Sequence, residues 1–428
     1  MKIAIPGSRT WLYLAFSIIS AACMWNYVLK VWGAGHPPQF SDLYAPWWAA
    51  HELVFHHRDP YTIPMAHEIQ LRIYGASVTP SFAGDPSERA GGFAYPIHAT
   101  FFLFPTVWLD FKTVQVWCGW LLGALTAAGV MLWLHVLRWR PGPVPLVTLI
   151  FLILGCFPVL QAIRLGNLSA LAAFLIIAAM ASLARERFIL AGVLLAAATF
   201  KPQFVILLIP SLGIWTLGDW RRRRALAWSF CLSLIALAGL GELAVAGWPG
   251  KFLTTLRAYR QYTYGHSVLD LWLPGKASLL LTCLVVAWAA GLSYRYRNSS
   301  ARTQPVVCAW LLATTLLVIP SLSPHAQIIL VPGYLSLLRY RQAIWQAGRW
   351  ARILLVLAWA LPLWESCAAI AISIAMLFLP AAQVQRLWLL PLFTSPIMPL
   401  GIILGVGYLL MRDLQLHNQI FGGAELPT

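Results

Sequence analysis

Residues 221–246 read RRRRALAWSFCLSLIALAGLGELAVA: four arginines, then an apolar run in which Glu242 is the one ionisable side chain. About 20 such residues in a helix cross the hydrocarbon of a bilayer. Arginines gathered at one end mark that end as cytoplasmic. The stretch therefore reads as an oriented membrane span, and the same pattern recurs on both sides of it. Working outward gives twelve spans, near 10–32, 113–137, 144–160, 167–184, 188–200, 202–217, 225–246, 276–293, 306–320, 327–338, 353–379 and 388–411. The run 353–379 is interrupted by Pro362 and Glu365. The first run, Trp11 to Trp32, is longer than the core of a signal peptide and lacks a small-residue cleavage site, so it is expected to stay as a span.

Composition agrees. Of the 428 residues 60% are hydrophobic and 10% charged, where a soluble chain carries about a quarter charged, and the mean hydropathy is +0.72. The expected fold class is an all-α polytopic membrane protein, a single domain over 1–428. The net charge of +16 does not point to nucleic acid, because the basic residues sit in short loops between apolar runs. Arg138 and Arg140, Arg185 and Arg187, Arg221 to Arg224, Arg295 with Arg297 and Arg302, and Arg339 with Arg341, Arg349 and Arg352 mark five cytoplasmic loops. With Lys2, Arg9 and Arg412 these make 18 of the 30 basic residues, and both termini fall inside the cell. The seven cysteines, Cys23, Cys118, Cys156, Cys231, Cys283, Cys308 and Cys367, lie singly in apolar runs, a spacing that suits neither a disulfide framework nor zinc.

An even number of spans leaves residues 96–109 as a half-helix, re-entrant or interfacial, that does not cross. Residues 33–112 then form one long extracytoplasmic loop, and it holds seven of the fourteen acids. Five polar interruptions map to that same face. Phe40 to Trp48 places Asp42 among Tyr44, Trp47 and Trp48: a base beside a sugar platform, or an interfacial aromatic belt. Gly91-Gly92-Phe93-Ala94-Tyr95-Pro96 is a turn into the half-helix. Arg164-Leu165-Gly166-Asn167 offers a forked cation for phosphate, a close backbone approach and a helix cap. Phe200-Lys201-Pro202-Gln203 presents an ammonium for phosphate, or one that snorkels to headgroups. Ser321-Leu322-Ser323-Pro324-His325 ends on a histidine able to bond a phosphate oxygen or a sugar hydroxyl. A carboxylate, aromatic rings and several cations suit transfer from a phosphate leaving group. No G-x-S-x-G, Walker or H-E-x-x-H motif occurs.

In their order and spacing these elements resemble glycosyltransferase family 87, over roughly residues 10–340. The carriers are the early outer-loop Asp42, Phe93-x-Tyr95-Pro96, the Arg164-x-Gly166 turn, Lys201-Pro202, and the Ser-Pro-His loop. Departures are Ile97 where the family has a second proline, Asn167 where it has glutamine, and His325 directly after Pro324. The resemblance implies a GT-C-type fold of about 12 transmembrane helices. It implies an inverting enzyme that moves a hexose, with mannose the expectation, from a polyprenyl-phosphate donor to a lipid or glycan acceptor at the extracytoplasmic face of the cell membrane. Asp42 is then the general base. Arg164, Lys201 and His325 hold the donor phosphate, with Arg257 and Arg260 as alternatives to His325. Tyr44, Trp47, Tyr95 and Asn167 contact sugar or acceptor. No cofactor, metal or nucleic acid is expected; membrane lipid is. The competing reading is a lipid or polysaccharide transporter or flippase, for which Glu365 is the one midspan charge.

Overall fold

In lipid every backbone N–H and C=O must be satisfied within the chain, which an α-helix does by itself. The computed structural model describes residues 8–32, 41–77, 79, 81, 85–263, 265–273, 275–320, 323–384 and 397–412, and among them it is helical with no strand. The expectations for both chain termini, for residues 33–40, for Ser321 and Leu322, and for the start of span 388–411 lie outside the described residues.

The first helix is α1 (Ser8–Asn26), continued by a π turn, Tyr27–Trp32. The loop that follows carries α2 (Tyr44–His56) and α3 (Ile63–Tyr74). Then come α4 (Phe111–Val136), α5 (Pro143–Leu154), α6 (Phe157–Leu165), α7 (Ser169–Ala184) and α8 (Phe188–Ala198). A short α9 (Pro202–Val205) leads into α10 (Leu208–Gly218), α11 (Trp220–Ala244), α12 (Trp248–Tyr262), α13 (Val268–Trp272), α14 (Lys276–Arg295) and α15 (Gln304–Val318). The described chain ends with α16 (Val331–Arg339), α17 (Arg341–Gln346), α18 (Arg349–Ala375), α19 (Ala381–Val384) and α20 (Met398–Arg412).

Among the described residues five helices are individually long and apolar enough to cross a membrane: α1, α4, α11, α14 and α18. The bent pair α5–α6 makes a sixth when taken as one broken span, or else a re-entrant loop. The other expected spans correspond to shorter apolar helices of 10–17 residues, α7, α8, α9–α10, α15 and α20, and to α16 with 9. A helix that is apolar all round belongs in the interior, and α15 is buried from Gln304 to Leu317. By contrast α11 turns its leucines outward, Leu243 being 87% exposed, as a lipid-facing helix does.

Three expected elements differ. The run 144–160 is not one rod: α5 stops at Leu154 and α6 continues to Leu165, bent by 60°. Pro158, in the first turn of α6, has no N–H to extend the α5 ladder, and Gly155 lies against the backbone of Ala21. The run 353–379 is not interrupted, since α18 passes through Pro362, which neighbouring helices allow in membranes. Residues 96–109 wind not as an α-helix but as two tight 3-10 turns, Ile97–Phe102 and Phe104–Thr106.

Four of the five arginine loops meet at one end of the bundle. Arg185 donates to His135 at 3.1 Å and Arg222 pairs with Glu186 at 2.7 Å. Buried Arg223 stacks 3.8 Å over Trp215 and donates to the carbonyls of Trp215, Arg297 and Ser299. From this end α7 runs its 16 residues, about 24 Å at 1.5 Å per residue, to Ser169 at the opposite end.

Candidate active site

Local backbone chemistry puts a ring of turns at that opposite end. Helix α6 closes at Gly166, whose left-handed φ of 64° suits a residue without a Cβ. A Cβ there would stand 2.8 Å from that of Leu43, so the turn also has to be glycine for the Ser41–Leu43 segment to dock on it. Ser41 Oγ donates to the Leu165 carbonyl at 2.8 Å, which fixes Asp42 beside the α6–α7 turn. Asn167 Oδ1 accepts from the Ser169 N–H at 2.9 Å, an Asx turn that leads into α7. Lys201 precedes Pro202, a position biased away from helical backbone, and closes the α8–α9 turn with φ −116° and ψ 75°.

The side chains from these turns converge. Asn167 Nδ2 donates to Asp42 Oδ2 at 2.6 Å and to His325 Nε2 at 3.1 Å. Asn167 Oδ1 accepts from Lys201 Nζ at 2.8 Å and from Ser169 Oγ at 2.7 Å. Lys201 Nζ also donates to Ser169 Oγ at 2.9 Å and sits 5.5 Å from the centre of the Tyr95 ring. Lys201 is only 4% exposed. Burial pushes its pKa down to about 8, against the opposing pull of the Asp42 charge. Burial, and then the Lys201 charge, lower His325 to about 3, so its imidazole is neutral at neutral pH. With Nε2 accepting from Asn167, the ring proton belongs on Nδ1, a buried atom with no partner among the described residues.

Three phenols feel the Asp42 charge, which together with burial raises the pKa of each: Tyr74 on α3, Tyr95 in the glycine turn and Tyr259 on α12. Gly91, at φ 69°, packs on the Tyr74 ring and donates its N–H to Tyr262 Oη at 3.3 Å; Tyr262 in turn meets Tyr259 edge to face at 5.3 Å. The other acids of this region are engaged elsewhere. Glu52 is held by Arg58, His51 and His56, Glu68 by Arg58 and Trp48, and Asp59 by Lys251 at 2.8 Å. His51, Glu52 and His56 offer ligand atoms within 4.8 Å of one another. Arg58 Nη1, 2.9 Å from Glu52, already supplies that carboxylate with a cation, so the trio is an ion-pair anchor for α2.

The model of glycosyltransferase family 87 matches residues 93–321, more than half of the chain. The chain belongs to glycosyltransferase family 87. No curated protein and no solved structure matches it.

This family 87 glycosyltransferase is thus a sugar-transferring enzyme of the membrane. The match takes in Tyr95, Arg164, Asn167 and Lys201 but begins after Asp42 and stops before His325; those two join the site through hydrogen bonds. Of the residues expected from sequence, Asp42, Tyr95, Asn167, Lys201 and His325 are brought together. Arg164, half-buried in the last turn of α6, makes no hydrogen bond or ion pair with a described residue. Arg257 and Arg260 are exposed on α12. Tyr44 and Trp47 are not gathered in. They are buried in a stack with Trp48 and Phe111, and Trp47 Nε1 lies 3.5 Å from the Thr106 carbonyl. Sequence reading missed Ser169, Tyr74 and Tyr259. The first was legible as the hydroxyl two residues beyond Asn167, where an Asx turn places it; the tyrosines come from distant segments and carried no local signal.

Proposed function

We propose that the enzyme transfers a hexose, with mannose as the expectation, from a polyprenyl phosphate to a lipid or glycan hydroxyl at the extracytoplasmic face, with inversion. The observation that carries this is Asn167 holding Asp42 on its amide nitrogen and Lys201 on its oxygen. Asp42 takes the proton of the acceptor hydroxyl as that oxygen bonds to the anomeric carbon. The bond from the anomeric carbon to the phosphate oxygen breaks, and its electron pair leaves with polyprenyl phosphate. Two of the three Lys201 N–H groups are engaged, and the third meets the growing charge together with His325 Nδ1–H. Phosphate is a sufficient leaving group without a general acid. Tyr74, Tyr95 and Tyr259 supply ring faces for the sugar.

The separation of the arginine loops from the Asp42 cluster supports the orientation proposed. The proposal puts the arginine loops on the cytoplasmic side and the Asp42 cluster on the outer side, in a GT-C-type arrangement of about 12 crossings. The transporter reading leans on Glu365 alone, which is buried in α18, and one group makes no path. The deciding experiment is incubation of the purified enzyme with a panel of radiolabelled polyprenyl-phosphate sugars and total membrane lipid. Label moving from one donor into lipid or glycan supports the proposal. Label that only changes leaflet in vesicles, with no new product, favours the transporter.

A further inference from the structure

Helix α12 lies between two membrane-crossing helices, α11 and α14, and it emerges at the end of α11 opposite the arginine loops. One face of it is buried through Trp248, Phe252, Thr255 and Ala258. It is tied to the outer loop by Lys251–Asp59 at 2.8 Å and by Tyr262 to the Gly91 N–H. The opposite face is exposed, and Leu253, Leu256, Arg257 and Arg260 follow one another on it at helical spacing. Beyond it Leu271, Trp272 and Leu273 are exposed just before α14 enters its span, and exposed tryptophan beside a span is the mark of the headgroup level. Neighbouring acids are committed: Asp59 to Lys251, Asp270 to Ser267 and Ser278, and Glu242 to the Gly247 N–H. Neither Arg257 nor Arg260 forms an ion pair with a described residue, so two guanidiniums stand uncompensated above two leucines.

We infer that this face of α12 docks on the outer leaflet by binding the phosphate of anionic phospholipid headgroups through Arg257 and Arg260, with Leu253 and Leu256 seated below them. An apolar stripe under forked cations is how an amphipathic helix lies in the interface, and a guanidinium matches phosphate in geometry as well as charge. The docked helix carries Tyr259, so the lipid contact also fixes one wall of the Asp42 site. The leaflet named rests on the proposed orientation, whereas the lipid contact itself is read out apart from the transfer reaction.

The test uses the full-length protein in phosphatidylcholine nanodiscs. One preparation contains phosphatidylglycerol with a diazirine near the headgroup, and the other contains phosphatidylcholine labelled in the same way. After irradiation, cross-links are mapped to the peptide 251–263. Wild type should cross-link phosphatidylglycerol roughly tenfold more than phosphatidylcholine, from two basic side chains at a lipid surface. Arg257→Gln with Arg260→Gln should abolish that preference, and the paired lysine substitutions should keep most of it. Asp42→Asn should leave it unchanged. Equal labelling by the two lipids in wild type overturns the inference. So does loss of labelling on adding inorganic phosphate at constant ionic strength, which would make this a site for free phosphate.

Discussion

Asn167 donates to Asp42 across 2.6 Å while its own oxygen accepts from Lys201 at 2.8 Å. One carboxamide thus fixes a carboxylate and an ammonium in relation to each other. Asn167→Ala removes both contacts. Hydrogen bonds to charged groups are worth about 1.5–3 kcal/mol each, so turnover at saturating donor should fall roughly tenfold to hundredfold or more. A variant with wild-type turnover would deny Asn167 a part in the chemistry.

Asp42→Asn keeps the shape of the side chain and removes its proton acceptor. Transfer should drop by about 100- to 10,000-fold, with donor binding largely retained. Asp59→Asn, whose carboxylate serves Lys251, should lose far less. The reverse ranking in a side-by-side transfer assay would move the base from Asp42 to Asp59.

Lys201→Ala withdraws a cation from the leaving group, a loss on the order of 2–4 kcal/mol of transition-state stabilisation, or roughly a hundredfold and more in rate. The pH dependence has a definite sign. A buried ammonium lowered to about 8 is charged below that pH and loses its proton above it. The rate should therefore decline as pH rises through about 8. Lys201→Arg stays charged through this range, so whatever activity it keeps should lack that alkaline limb. An identical pH profile in the two proteins would exclude Lys201 as its source.

At the opposite end Arg223 is a structural group. Its guanidinium is buried and satisfied by three carbonyls, so Arg223→Gln leaves acceptors without a donor and should lower the thermal midpoint in detergent by several degrees. Arg222→Gln breaks an exposed pair with Glu186 and should change it little. Equal midpoints for the two variants would contradict this division.

The orientation is open to a labelling experiment. In a cysteine-free background, Asp85→Cys should react with an impermeant maleimide in intact cells. Reaction only after permeabilisation would place residues 33–112 inside and reverse the proposed face of transfer.

Much of this was legible in the sequence because lipid imposes a simple rule. Apolar runs report helices and arginine-rich loops gather at one end of the bundle, and the five polar turns stood out because a polar residue beside a span must have a reason to be there. Four of those turns supply Asp42, Tyr95, Asn167 and Lys201 to one cluster, and the fifth supplies His325. Other features depend on which helix neighbours which, and adjacency leaves no mark in one sequence. The 60° bend at Gly155 and Pro158, the approach of Tyr259 on α12, and the turning of Tyr44 and Trp47 onto Phe111 are of this kind. Tyr44 and Trp47 misled because nearness in sequence to Asp42 was read as nearness in space; on α2 their rings face the start of α4 instead.

The amide of Asn167 has no vacancy: both hydrogens are donated, and its oxygen is shared among the Ser169 N–H, Ser169 Oγ and Lys201. A group already saturated by its own protein is indifferent to which sugar arrives. Under the proposed transfer, preference between one sugar and another falls to the tyrosine walls, which come from α3, the glycine turn and α12 and not from the turns that hold the charges. Chemistry and choice are carried on separate pieces of chain. Under that proposal, exchanging a ring would alter which sugar fits while leaving the Asp42–Asn167–Lys201 contacts as they are.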